Sequence, residues 1–215
     1  MEREALRLSD TLLEQLQQAR VALADQDVAA VSASGRLGDS ITSLGRAVRR
    51  HLGQIPAESM SDEEQARVHE IITFIINVEH VADIVPHHLV EPVVKRSLGG
   101  ELVKTKAQEM IDEMMGDIIE ALGLAVAVLI RGDLRAAKTL VDVKTRLREK
   151  EQVWAMEAST SIGWATVQGG VVEVDVVLKA VRECRRIYGH LGAIAYHVLE
   201  GAGKLRSRVS FVEGS

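Results

Sequence analysis

Glu79 and Asp83 stand four residues apart in a stretch that is mostly apolar, FIINVEHVADIVPHHL, from position 74 to 89. Four residues is about one helical turn, so the two carboxylates share a helix face. Two carboxylates so placed can hold one hard or borderline cation, with oxygens at ~2.0–2.6 Å. Ile72 and Ile76 lie beside them on the wheel, which puts the pair at the edge of a buried stripe. Burying two unpaired negative charges costs several kcal/mol or shifts their ionisation. A metal ion, an arginine or water must therefore compensate them.

Other residues offer chemistry less directly. His80, His87 and His88 gather near the same helix end, and His190 and His197 are seven apart. A di-iron bundle needs Glu-x-x-His on its helices. No histidine here has a glutamate three residues before it, so that enzyme class is excluded on spacing. Glu183 and His190 share a face, which alone does not make a metal motif. There is no G-x-S-x-G, P-loop or dinucleotide fingerprint, and no enzymatic activity is expected. Cys184 falls on an apolar stripe and should be buried and inert. The methionines of MIDEMM, residues 110–115, read as core. Arg46, Arg49, Arg50 and His51 form one basic patch and Arg146, Arg148 and Lys150 another. Each is expected as a solvated face, or as a contact for anionic lipid heads or for loops of a membrane protein.

The elements that must position these residues are helices. Leu8, Leu12, Leu16, Ala19 and Leu23 step by three and four, as do Leu37, Ile41, Leu44, Val48 and Leu52. Ser61 with Glu64 three residues on is a capping box, opening a third helix that carries Ile71, Ile75, Val78, Ala82 and Val85. Pro86 should kink or end it. After Gly99-Gly100 the scheme repeats: a stripe from Ile111 to Leu129, a helix over about 133–158, the loop STSIGWATVQGG, and a last helix from Val174 to Val198. LADQDVAA at 23–30 aligns with LIRGDLRA at 129–136, a shift of 106 residues from Asp27 to Asp133. The same shift takes Val81 to Ile187 and Val85 to Leu191. The expected architecture is all-α: six helices in two tandem antiparallel three-helix bundles, residues 1–98 and 99–215, duplicated and then diverged. Long third helices could pack on each other across the join.

Bulk composition narrows the partners. The 215 residues carry a net charge of −5, which argues against nucleic acid, because phosphate binding needs a basic face. The longest apolar run, residues 118–130, is shorter than the ~20 residues that span a bilayer. A start that is charged from its second residue does not read as a signal peptide. One cysteine cannot form an internal disulfide, which fits a reducing compartment.

With these residues in hand the chain resembles a known family. Two three-helix units with acid-x-x-x-acid late in the third helix resemble the PhoU-like fold. FIINVEHVADIVPHHL resembles the segment that bacterial sodium/phosphate cotransporters carry in their C-terminal PhoU-like region. ECRRIYGHLGAIAYHVLEGAGKLRSRV, residues 183–209, is similar to the closing helix and tail of that region, and ALRLSDTLLEQLQQA, residues 5–19, to its first helix. The resemblance covers nearly the whole chain.

It implies a non-enzymatic cytoplasmic module, at the inner face of the cell membrane, that regulates or assembles sodium-dependent phosphate transport. Its partner would be a membrane transporter domain, in the same chain or in trans. It further implies a homo-oligomer, a dimer first, and a divalent or iron-type metal ion as cofactor. The family's partner pair on the second helix falls here at Gly35 and Asp39, so one acid is missing and the implied metal ligands are Asp39, Glu79 and Asp83. Asp39 lies opposite the Leu37–Ile41–Leu44–Val48 face and meets Glu79 only if the third helix packs on that side. The shift of 106 turns Glu79 into Arg185 and Asp83 into Gly189, so the second half lacks the ligands and Arg185 becomes a salt-bridge candidate for Glu79. Two other readings stay open: a stand-alone PhoU-type regulator acting in trans, and a generic helical scaffold.

Overall fold

A computed structural model describes residues 2–97, 106–160 and 170–201. The Gly99-Gly100 boundary, most of the STSIGWATVQGG loop and the Arg206–Arg208 tail fall outside these residues. Among the described residues every regular element is helical: α1 (Glu2–Asp25), α2 (Val28–Leu52), α3 (Asp62–Ile84), α4 (Glu91–Ser97), α5 (Lys106–Arg131), α6 (Leu134–Thr160) and α7 (Gly170–Gly201). Helices α1, α2 and α3 pack on one another, as do α5, α6 and α7. The two bundles join where α3 packs on α7 and α1 on α5.

Local chemistry sets the boundaries. The Asp27 side chain caps α2 by accepting from the Ala29 N–H, and Asp133 caps α6 by accepting from Arg135 and Ala136. Those backbone bonds hold the Asp133 carboxyl below the usual range. The residue before each cap turns the chain left-handed: Gln26 at φ 54° and Gly132 at φ 59°. The two turns are thus built alike at the shift of 106. The Ser61–Glu64 capping box forms as expected.

The buried pattern follows the same shift. The nine buried residues of α1 run from Ala5 through Leu8, Ser9, Leu12, Gln15, Leu16, Ala19 and Ala22 to Leu23. Moved by 106 they land on Ile111, Met114, Met115, Ile118, Ala121, Leu122, Ala125, Val128 and Leu129, all of them buried. Where the first half buries Gln15 and Ala82, the second buries Ala121 and Tyr188. The large polar side chain has moved from the first helix of the bundle to the third.

Helix α2 departs from the expected stripe. Ile41, Val48 and Leu52 are buried, but Leu37 and Leu44 are only partly so, and Ser34, Gly38 and Gly45 take the rest of the inner face. The reason is proximity. A Cβ at Gly38 would lie 2.8 Å from Gln15 Nε2 and 2.9 Å from the Ala82 carbonyl oxygen. Only glycine lets α1 and α3 come this close.

That contact answers what Pro86 does. A proline has no N–H to give to the carbonyl four residues back, here Ala82. Gln15 Nε2 donates to the Ala82 oxygen at 2.8 Å, and to the Ser34 oxygen at 3.0 Å. One fully buried amide therefore ties three helices. Beyond Ile84 the chain widens into a π segment, Val85–Val90, and continues as α4 rather than breaking.

Arg67 performs the matching task at the other end. It bonds to Glu2 at the start of α1, to Glu70 on its own helix, and to the Leu129 carbonyl at 2.7 Å in the last turn of α5. A cation at a helix C-terminus opposes the negative end of the helix dipole. Partial burial works against this guanidinium's charge, and Glu2 and Glu70 more than restore it. Arg20 and Asp112 form a second, bidentate tie between α1 and α5, at 2.6 and 2.8 Å. Cys184 is fully buried, as expected, and burial pushes its thiol up to about 12.

Removing the Gln15 donor or filling the space at Gly38 attacks the same joint. Gln15→Leu leaves a buried carbonyl short of a donor and should cost about 1–3 kcal/mol. Gly38→Ala pushes a methyl group against the Gln15 amide and the Ala82 carbonyl oxygen and should cost about 1–3 kcal/mol. Urea unfolding measures both. Stability within 0.5 kcal/mol of the parent (roughly the range of neutral surface changes) would show that the joint does not carry the packing.

Candidate functional site

In the structure Glu79 and Asp83 have different surroundings. Glu79 is part-buried against α2, whereas Asp83 is exposed, and Asp39 on α2 is exposed as well. The Glu79 carboxylate is bound by Arg49 of α2, through Nη1 and Oε2. The partner is thus the arginine one bundle position away, on the adjacent helix. Arg49 accordingly leaves the solvated patch in which the sequence places it. Likewise Lys150 bonds to Glu113 and reaches Asp117 at 3.5 Å, so the second basic patch is also partly engaged.

Room for Glu79 comes from the second inner glycine of α2. A Cβ at Gly45 would fall 2.8 Å from the carboxyl carbon of Glu79. Gly45 and Arg49 are one turn apart, so the glycine admits the carboxylate and the arginine meets it. The other oxygen, Oε1, is buried with no hydrogen-bond partner. The side chains are 13% and 30% exposed for Glu79 and Arg49, shielded enough for the pair to matter more than a surface ion pair. Among the described residues no three His, Cys, Asp or Glu side chains come together in a way that would hold a metal ion.

On the opposite side of α3 runs its contact with α7, the main seam between the bundles. The His80 and His190 rings stack with centroids 4.9 Å apart, and His190 Nδ1 lies 2.9 Å from Asn77 Oδ1. Burial holds the His190 imidazole below its usual range, and His80 and Arg186 push the same way. Arg186 itself pairs with Glu183, one turn back on α7. Further along the seam, His69, Glu70 and Thr73 of α3 face Tyr196, His197 and Glu200 of α7 across a cleft of about 240 Å³. Sequence reading found the histidines but not their grouping. The helix-pairing that brings positions 69 and 197 together is not written in local periodicity.

Two measurements follow. The Gly45→Ala substitution should destabilise by about 1–2 kcal/mol, and much less in a Glu79→Ala background, because neighbours that share a space couple. Equal costs in both backgrounds would show that Glu79 does not occupy the gap. For His190, the folded protein binds its proton less readily than the unfolded chain, whose imidazole titrates near 6.5. Stability should therefore fall as pH drops through about 6.5 and level off below the folded-state value. His190→Gln should flatten that part of a Tm-against-pH curve; an unchanged curve refutes the assignment.

No family model matches the chain. Over 198 residues, 92% of its length, it is 25% identical to a protein of Escherichia coli strain K12 named "Putative inorganic phosphate export protein YjbB". It is 24% identical, over the same share, to the Salmonella typhimurium protein of that name. The chain spans 36% of the length of each of these relatives. In three dimensions it is similar to PhoU from Pseudomonas aeruginosa, with a TM-score of 0.82 and 17% identity, over 94% of this chain and 95% of that one. The fold is the PhoU-like one that the residues of the third and last helices resemble.

Proposed function

We propose that the chain is a non-enzymatic PhoU-like module that regulates a phosphate-transport system through a membrane transporter domain. The observation that carries this reading is the alignment of nearly the whole chain with about a third of a protein named for inorganic phosphate export, in a fold shared with PhoU. Among the described residues no helix is long and apolar enough to cross a membrane, so transport itself would need other segments. The module would work at the inner membrane face by helix-to-helix contact. Its two bundles, joined along α3–α7 and α1–α5, offer a seam that a transporter can open or close.

The test is genetic and chemical together. The coding segment for these residues is removed from its host, and cellular phosphate and labelled-phosphate uptake and efflux are measured at low and high external phosphate. The expected outcome is a changed transport rate or set-point, restored by the intact segment. Rates and phosphate content equal to the parent in both conditions would defeat the reading.

A further inference from the structure

Four of the chain's seven histidines lie on the two helices of the inter-bundle seam: His69 and His80 on α3, His190 and His197 on α7. The inner two stack on each other. The outer two stand apart from that contact, in the cleft of about 240 Å³. The helices run antiparallel, and the Asn77–His190 bond fixes their register. Eight residues back along α3 and seven forward along α7, at ~1.5 Å per residue, bring His69 opposite His197. Both are exposed, as is Glu200, one turn beyond His197. Glu70, also on the cleft wall, is held by Arg67.

Two imidazoles on opposite walls of one cleft, with the Glu200 carboxylate on the same wall as His197, suit a borderline cation rather than an anion or a hard ion. Neutral imidazole is a good ligand for zinc, nickel and copper, while calcium and magnesium require oxygen sets. We propose that this cleft binds a late first-row divalent cation of the Zn²⁺ class, held by His69 from one bundle and His197 from the other. No three His, Cys, Asp or Glu side chains of the described residues come together at one point. The ion therefore keeps water in its remaining positions, and Glu200 balances part of its charge from the cleft wall. Because its two protein ligands come from different bundles, the ion clamps the seam. The site is separate from Asp39, Glu79 and Asp83 and stands independently of the phosphate-transport reading.

The probe is ZnCl2 added to chelator-treated protein, read by scanning calorimetry at pH 7.5. A ligand that binds only the folded state raises Tm in a saturable way. The expected result is a rise of several degrees in the parent and in His88→Ala, reversed by chelator. In His69→Ala and in His197→Ala the half-saturating zinc concentration should rise at least tenfold. The readout is a difference with and without zinc in each protein, so any change in metal-free stability does not confuse it. An unchanged zinc response in both variants, or no saturable response in the parent, overturns the proposal.

Discussion

The structure depends on one buried amide. Gln15 reaches from α1 past the bare backbone of Gly38 and donates into α3 at the carbonyl that Pro86 cannot serve. Each part requires the others. Without the glycine the amide has no path, without the amide a buried carbonyl lacks a donor, and without the proline the carbonyl would bond within its own helix. A buried polar contact of this kind adds little net energy but is costly to leave unmade. It fixes the relative placement of three helices in a way that apolar packing, which has no direction, does not.

The same placement decides the fate of Glu79. Once α3 is seated over Gly38, Gly45 lies under Glu79 and Arg49 is within reach. The carboxylate is then compensated by the guanidinium of a neighbouring helix. Asp83, four residues on, turns to solvent, because a rotation of about 40° over four residues is enough to leave an interface only one side chain deep. The acid-x-x-x-acid spacing survives, while its two members have different surroundings.

Across the molecule the two bundles are related by their burial pattern and joined by polar ties. Arg67 connects the starts of α1 and α3 to the end of α5, and the histidine stack and Asn77 connect α3 to α7. These polar ties sit at the margins of one apolar core that runs through both bundles, with Phe74, Ile75 and Val78 of α3 and Leu191, Ile194 and Ala195 of α7 in the same cluster.

Sequence alone determined the helices, the Ser61–Glu64 cap and the apolar steps that recur at a shift of 106 from Asp27 to Asp133, which are local or periodic properties. Through the resemblance of its first, third and last helices to a known family, the sequence also made the PhoU-like fold legible. It misjudged the inner face of α2, because hydrophobicity points to Leu37 and Leu44, while close approach selects Gly38 and Gly45. Two glycines seven apart on a helix were the signal available. Tertiary structure alone decided that Glu79 meets Arg49 rather than the repeat-related Arg185, that Gln15 serves a carbonyl 67 residues away, and that His69 faces His197. Those pairings depend on how whole helices slide and rotate against each other. That is set by the sum of contacts along their length, and no single stretch of residues encodes it.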